Sequence, residues 1–232
     1  ILKRADVIFC TSEYLRNQVM EKLGKEATDE LYTFENGVDD ALFKGESHAE
    51  GIIPETFQGT VLGYIGGIKP KLDFTLVQKV AQRKPNWLFL FVGPDATAGH
   101  GGFKKLLELE NVIWTGSVTP EEVPKYMNLL DIGIMPYKPS PYNAAVFPLK
   151  LFEFLAAGKP ALGVHLPSTE KYACDGVYAH LDTSDETAFI QECERLEQII
   201  KDEHYTQKRQ QLAHTKDWSN IFKEMTAIVK KE

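Results

Sequence analysis

The 232-residue chain is 43% hydrophobic and 25% charged, the proportions of an ordinary soluble globular protein, and its length allows one large domain or a domain with part of another. A formal net charge of −7 gives no general attraction for nucleic acid or an anionic membrane surface. No apolar run approaches about 18 residues, which argues against a transmembrane helix. Cys10, Cys174 and Cys193 lie far apart, a usage that suits a reducing, cytoplasmic setting rather than a disulfide framework.

The chain opens at Ile1 in mid-pattern and reads as a fragment. Ala5 to Ser12 is a short apolar run ending in a capping residue. Ser12 with Leu15 and Val19 at helical spacing predicts a helix to about Leu23, stopped by Gly24. Leu31 to Phe34 is strand-like, Asn36-Gly37 signals a turn, and Asp39 to Gln58 has the composition of a linker. From there the pattern is regular. Thr60–Ile65 reads as a strand ending in Gly66-Gly67, Asp73–Ala81 as an amphipathic helix, and Trp87–Val92 as a strand. A polar Gly/Ala-rich stretch and Lys104–Leu109 lead to the strand Val112–Thr115. Thr119 as N-cap and Pro120 at the first position predict a helix, and Asp131–Met135 predicts the next strand. A proline-studded loop then runs to Pro148, which suits the first position of a helix over Leu149–Ala157, ended by Gly158 and Pro160. Ala161–Val164 and Val177–His180 are strand-like, Phe189–Ile200 is helical, and a charged C-terminal helix contains Trp218 and Phe222. Short apolar strands alternating with helices predict an α/β fold, a Rossmann-like parallel sheet with helices on both faces.

In such sheets ligands bind beyond the carboxyl ends of the strands, and three features fall there. Gly66-Gly67 leaves backbone open to close approach. Thr115-Gly116-Ser117-Val118 ends the third strand of the regular half. The loop to Pro148 delivers Lys150 and Glu153, whose i, i+3 spacing puts both on one helix face. A lysine beside free helix amides can seat a phosphate, and a carboxylate can bind ribose hydroxyls. The competing reading is a buried helix carrying one local ion pair. Tyr142 and Asn143 are candidates to touch a sugar. His48, His100, His165, His180, His204 and His214 are scattered without metal-ligand spacing, so no metal is expected, and no Gly-x-Ser-x-Gly or phosphate-loop motif occurs.

These stretches in their order, Ala5-Asp-Val-Ile, Asn36-Gly37-Val38-Asp39 to Phe43, Gly63-Tyr-Ile-Gly66, Asn111-Val to Gly116, Asp131 to Tyr137, and Pro148 to Pro160, resemble the C-terminal half of a GT-B glycosyltransferase. The pattern is nearest the bacterial family-4 enzymes that build surface polysaccharides, teichuronic-acid-type transferases among them. The resemblance implies residues 1–44 as a remnant of the N-terminal acceptor domain and linker, and 45–232 as the nucleotide-sugar domain. It implies a UDP- or GDP-sugar as substrate, no cofactor or metal, retention at the anomeric carbon, and an acceptor held by a missing N-terminal domain. Nucleic acid is not a partner on this reading. The expected place is the cytoplasm, with peripheral attachment at the inner membrane face through that missing half. Glu153 matches the second glutamate of the family's Glu-x7-Glu motif, with Ala145 where the first would fall. Gly67 stands at the arginine of the usual phosphate clamp, and Lys69 and Lys71 lie near its lysine. On this pattern Lys150 is the catalytic cation, and Gly66, Gly67, Lys71, Val118, Pro148, Leu149 and Glu153 bind the nucleotide. Two other readings stay open: a nucleotide-sugar 2-epimerase of the same fold, and an inactive nucleotide-binding module.

Overall fold

A computed structural model describes residues 2–24, 30–45, 47–99 and 101–230; His100, among the histidines weighed above, lies outside them. The N-terminal part is a small β-α-β unit. β1 (Ile8–Cys10) and β2 (Leu31–Thr33) pair in parallel, joined through α1 (Glu13–Leu23), and the Ser12 hydroxyl accepts from Leu15 N to cap the helix. A 3-10 turn, Asp40–Phe43, is the regular element of the linker.

The body is a six-stranded parallel sheet in the order β5-β4-β3-β6-β7-β8. Its strands are β3 (Thr60–Ile65), β4 (Trp87–Val92), β5 (Val112–Trp114), β6 (Ile132–Pro136), β7 (Ala161–Val164) and β8 (Tyr178–Leu181). Every residue of β4 is buried, as expected for a strand covered on both faces. α2 (Phe74–Arg83) lies between α3 (Gly101–Leu106) and α7 (Glu186–Glu197) on one face. α4 (Val123–Met127) and α6 (Lys150–Ala156) cover the other, with α8 (Glu203–Thr215) behind α6. α5 (Pro141–Ala145) and α9 (Trp218–Val229) complete the helices described. None is long and apolar enough to cross a membrane.

Glycines set how closely the layers approach. A Cβ at Gly133 of β6 would stand 2.3 Å from the Phe154 ring, so α6 rests on bare strand backbone, with Lys150 one turn nearer the strand ends. At the opposite end of α6 the buried Arg209 guanidinium donates to the carbonyls of Gly158, Gly176, Ile199 and Ile200. Burial pulls its pKa down to about 10.

Several helices differ from expectation in their bounds or number. Thr119 and Pro120 open a turn, and α4 starts at Val123. Pro124 has no N–H for the Pro120 carbonyl, so a helix begun at Pro120 cannot continue through it; Val123 N bonds that carbonyl at 3.3 Å instead. The proline-studded loop contains α5, capped by the Ser140 hydroxyl with Pro141 in its first turn. The single charged C-terminal helix is two helices, α8 and α9. Asp217 leaves the helical path to bridge Val38, and its carboxylate caps Ser219 N at 2.8 Å. The helix expected over Leu149–Ala157 is shorter by one residue at each end, with Pro148 two residues before its start.

Candidate functional site

The chain runs outward from β3 through β4 to β5, then returns to β6 on the other side of β3. The reversal leaves a crevice between the ends of β3 and β6, where doubly wound sheets take their ligands. Gly66, at φ +132°, ends β3, and a Cβ there would lie 2.4 Å from Lys150 Cε and 2.5 Å from its Nζ. Glycine at this position is therefore what lets the lysine of α6 lie across the strand end. A Cβ at Gly93 would in turn stand 2.3 Å from the Gly66 carbonyl oxygen, and Gly93 N donates to Gly116 O at 2.8 Å. The ends of β3, β4 and β5 are thus bare backbone.

A strap of residues 68–73 crosses the crevice. Ile68 is tied to Pro94 and Ala96 beyond β4, Asp73 N donates to Pro136 O at 2.7 Å, and Lys138 N donates to Lys71 O at 2.9 Å. The strap carries Lys69 and Lys71 to Lys150. The Lys150 ammonium lies 5.2 Å from the Tyr64 ring centroid, and Lys71 lies 4.6 Å from Tyr137 and 5.8 Å from Tyr142. Burial, then repulsion from Lys150 and Lys69, pulls Lys71 from 10.5 down to about 8. Burial also lowers Lys150, with Glu153 opposing and Lys69 assisting. Burial raises the Tyr64 phenol well above its ordinary value and pushes Tyr137 up to about 12, so these two phenols stay neutral. None of the three lysines forms an ion pair with a described carboxylate. Three lysines gathered at one strand end, none ion-paired with a described carboxylate, can seat a multivalent anion.

Lys150 and Glu153 do not pair with each other. Lys150 turns to the strand end, whereas Glu153 lines a separate cavity of about 280 Å³ with Gly37, Val38, Pro120, Leu149 and Trp218. Burial raises the Glu153 carboxyl, and Lys150 offsets part of that. Asp39 lines the same cavity, and its other walls are mostly apolar.

Gly66, Gly67, Lys71 and Lys150 come together at the crevice, and Glu153 and Leu149 meet in the neighbouring cavity. Pro148 is buried behind them and Val118 packs on the rim of the core. Tyr142 is 65% exposed beside Lys71. Asn143 is 1% exposed and spends its amide on the carbonyls of Lys71 and Lys138, so it faces the scaffold. Tyr64 and Tyr137 were not singled out from sequence; an aromatic residue beside the last position of each of the two strands that bound the crevice is the signal for them.

Fold and site together define a doubly wound α/β domain with a cationic cluster at its switch point. A model of the family glycosyl transferases group 1 matches residues 59–198, more than half of the chain, and the chain belongs to that family. It is 50% identical over 226 residues to the putative teichuronic acid biosynthesis glycosyltransferase TuaH of Bacillus subtilis strain 168, covering 97% of this chain and 57% of that relative. Among solved structures it is similar to Anabaena Alr3699/HepE in complex with UDP and glucose, with TM-score 0.73 and 18% identity over 98% of this chain and 64% of that one. The sucrose-phosphate synthase of Thermosynechococcus elongatus gives TM-score 0.73 and 16% identity, over 99% of this chain and 59% of that one. The chain therefore spans a little over half the length of these relatives.

Proposed function

We propose that the chain is the donor-binding half of a glycosyltransferase, holding a nucleoside-diphosphate sugar whose sugar passes to a glycan or lipid acceptor. The observation that carries this reading is the convergence of Lys69, Lys71 and Lys150, unpaired with carboxylates, on the bare end of β3. The diphosphate lies across Gly66 and Gly67 within reach of these ammonium groups, and the ribose hydroxyls enter the cavity where Glu153 accepts. Tyr142 stands at the open side, where the sugar projects. The complex of Alr3699/HepE with UDP and glucose supports a nucleotide-sugar donor, and the similarity to TuaH supports surface polysaccharide as the destination.

Breaking the bond between the anomeric carbon and the phosphate oxygen leaves new charge on the departing nucleoside diphosphate. Lys150, lying over Gly66, and Lys71 meet that charge where it develops, and on this reading they provide what a divalent cation supplies elsewhere. Removing one such donor lowers turnover by about 10²–10³. Retention at the anomeric carbon follows the family resemblance, and the acceptor belongs to the half of the relatives that this chain does not span.

Consumption of UDP- and GDP-sugars by the full-length protein, with and without a glycan acceptor, tests the proposal. Consumption that requires the acceptor is expected. Conversion of the sugar without acceptor would indicate an epimerase, and binding without consumption a module that only retains nucleotide.

A further inference from the structure

Asn143 is the first residue after Tyr142 and the third of α5, yet its side chain looks inward. Its amide Nδ2 donates to Lys138 O at 2.7 Å and to Lys71 O at 3.3 Å. Both acceptors are carbonyls, so the amide cannot be turned over without setting its oxygen against two oxygens. Its Oδ1 is buried without a partner among the described residues. The residue is itself held from behind, because its backbone N–H donates to Ser140 Oγ at 3.1 Å. Lys138 adds a second clasp, its backbone N–H on Lys71 O and its ammonium on Pro70 O at 3.0 Å. The outcome is that the backbone carbonyl of Lys71 receives two donors, one from the β6–α5 loop and one from α5, and the Lys71 ammonium is left between the Tyr137 and Tyr142 rings.

We propose that Asn143 is a positioning residue for the anion seat: it pins the backbone of Lys71 to the loop after β6 and so holds the Lys71 ammonium over the crevice. The proposal rests on reading the lysine cluster as a diphosphate site. Asn143 itself touches neither phosphate nor sugar. Without its amide the strap keeps its ties to Pro94, Ala96 and Pro136 at the two ends but loses one of its two fastenings at Lys71. An ammonium repelled by two neighbours then moves outward into water.

The test is a titration of the 232-residue chain with UDP and GDP, and with uridine and guanosine, for the parent, Asn143→Ala, Lys71→Ala and the double variant. Asn143→Ala should weaken both diphosphates at least about tenfold, the scale of one charge-assisted contact, and leave the nucleosides unchanged. In the Lys71→Ala background the same substitution should add nothing, because its effect passes through Lys71. Losses that add in the double variant, or fall equally on nucleoside and diphosphate, would overturn the proposal while leaving the lysine seat standing. A parent that binds nucleoside as tightly as diphosphate would remove the seat, and the proposal with it. If Asn143→Ala does not fold, Ser140→Ala loosens the same turn from the surface. A diphosphate-selective loss there supports the role, and unchanged affinity contradicts it.

Discussion

Lys71 brings two opposed effects of pH to one side chain. Its pKa is near 8 in the folded protein against an ordinary 10.5, so its charge is lost within the mildly alkaline range. A diphosphate binds the ammonium form, so affinity should fall as pH rises through about 8. Stability should move the other way. Between about 8 and 10.5 the unfolded chain still holds the proton that the folded chain has released, so the unliganded protein gains stability with rising pH. The difference between the parent and Lys71→Met in unfolding midpoint and in UDP affinity, followed from pH 7 to 10 as an approximate window for this titration, isolates this group; a difference that does not change with pH would show that Lys71 titrates normally. Glu153 gives a second prediction. Glu153→Gln keeps the shape but removes the ionised acceptor, so nucleoside and diphosphate should weaken together by about 1–3 kcal/mol. A loss confined to the diphosphate would place the ribose elsewhere.

The glycines at the strand ends make a prediction at the level of elements. Gly66→Ala strains a backbone at φ +132°, but its new methyl meets only the end of the flexible Lys150 side chain. Gly93→Ala has nearly the same φ, +131°, and meets the Gly66 carbonyl, which is backbone. Each should cost about 1–3 kcal/mol from conformation alone, with Gly93→Ala the costlier because nothing against it can rotate away. Denaturant midpoints check the order, and equal losses would mean that the strand end yields as easily as a lysine. Most elements were legible in the sequence because parallel strands covered on both faces are unbroken apolar runs: Thr60–Ile65 and Trp87–Val92 appear with the bounds expected. What was not legible depends on local competition. Pro124 overrode the helix signal at Pro120, Ser140 and Pro141 made a helix inside an apparent loop, and Asp217 divided one charged stretch in two. At the site, the spacing of Lys150 and Glu153 suggested a shared face. It did not show that they diverge into two compartments, because that depends on where Gly66 and Gly133 let α6 settle.

For the molecule as a whole, the six-stranded body and the N-terminal β-α-β unit differ in how they are held. α1 has no buried residue, and among the described residues β1 and β2 pair only with each other. The unit is fastened to the body by Ser12 Oγ donating to Ala145 O, Asn36 Nδ2 donating to Phe147 O, and the half-exposed Lys171 on Glu35. Burial tends to raise the Glu35 carboxyl, but Lys171 and Lys216 outweigh it and hold the carboxyl below its ordinary value. Amides of β1, α1 and β2 should therefore exchange with solvent faster than those of β3, β4 and β6. Equal protection would show that the unit is as firmly integrated as the central strands. The claim on which the rest depends is that the three lysines seat a diphosphate, and a calorimetric titration of the parent and Lys150→Ala with UDP, GDP and their nucleosides tests it most directly. The parent should prefer diphosphate to nucleoside, and Lys150→Ala, still folded, should lose most of that preference with nucleoside affinity intact. An unchanged preference in the variant would contradict it.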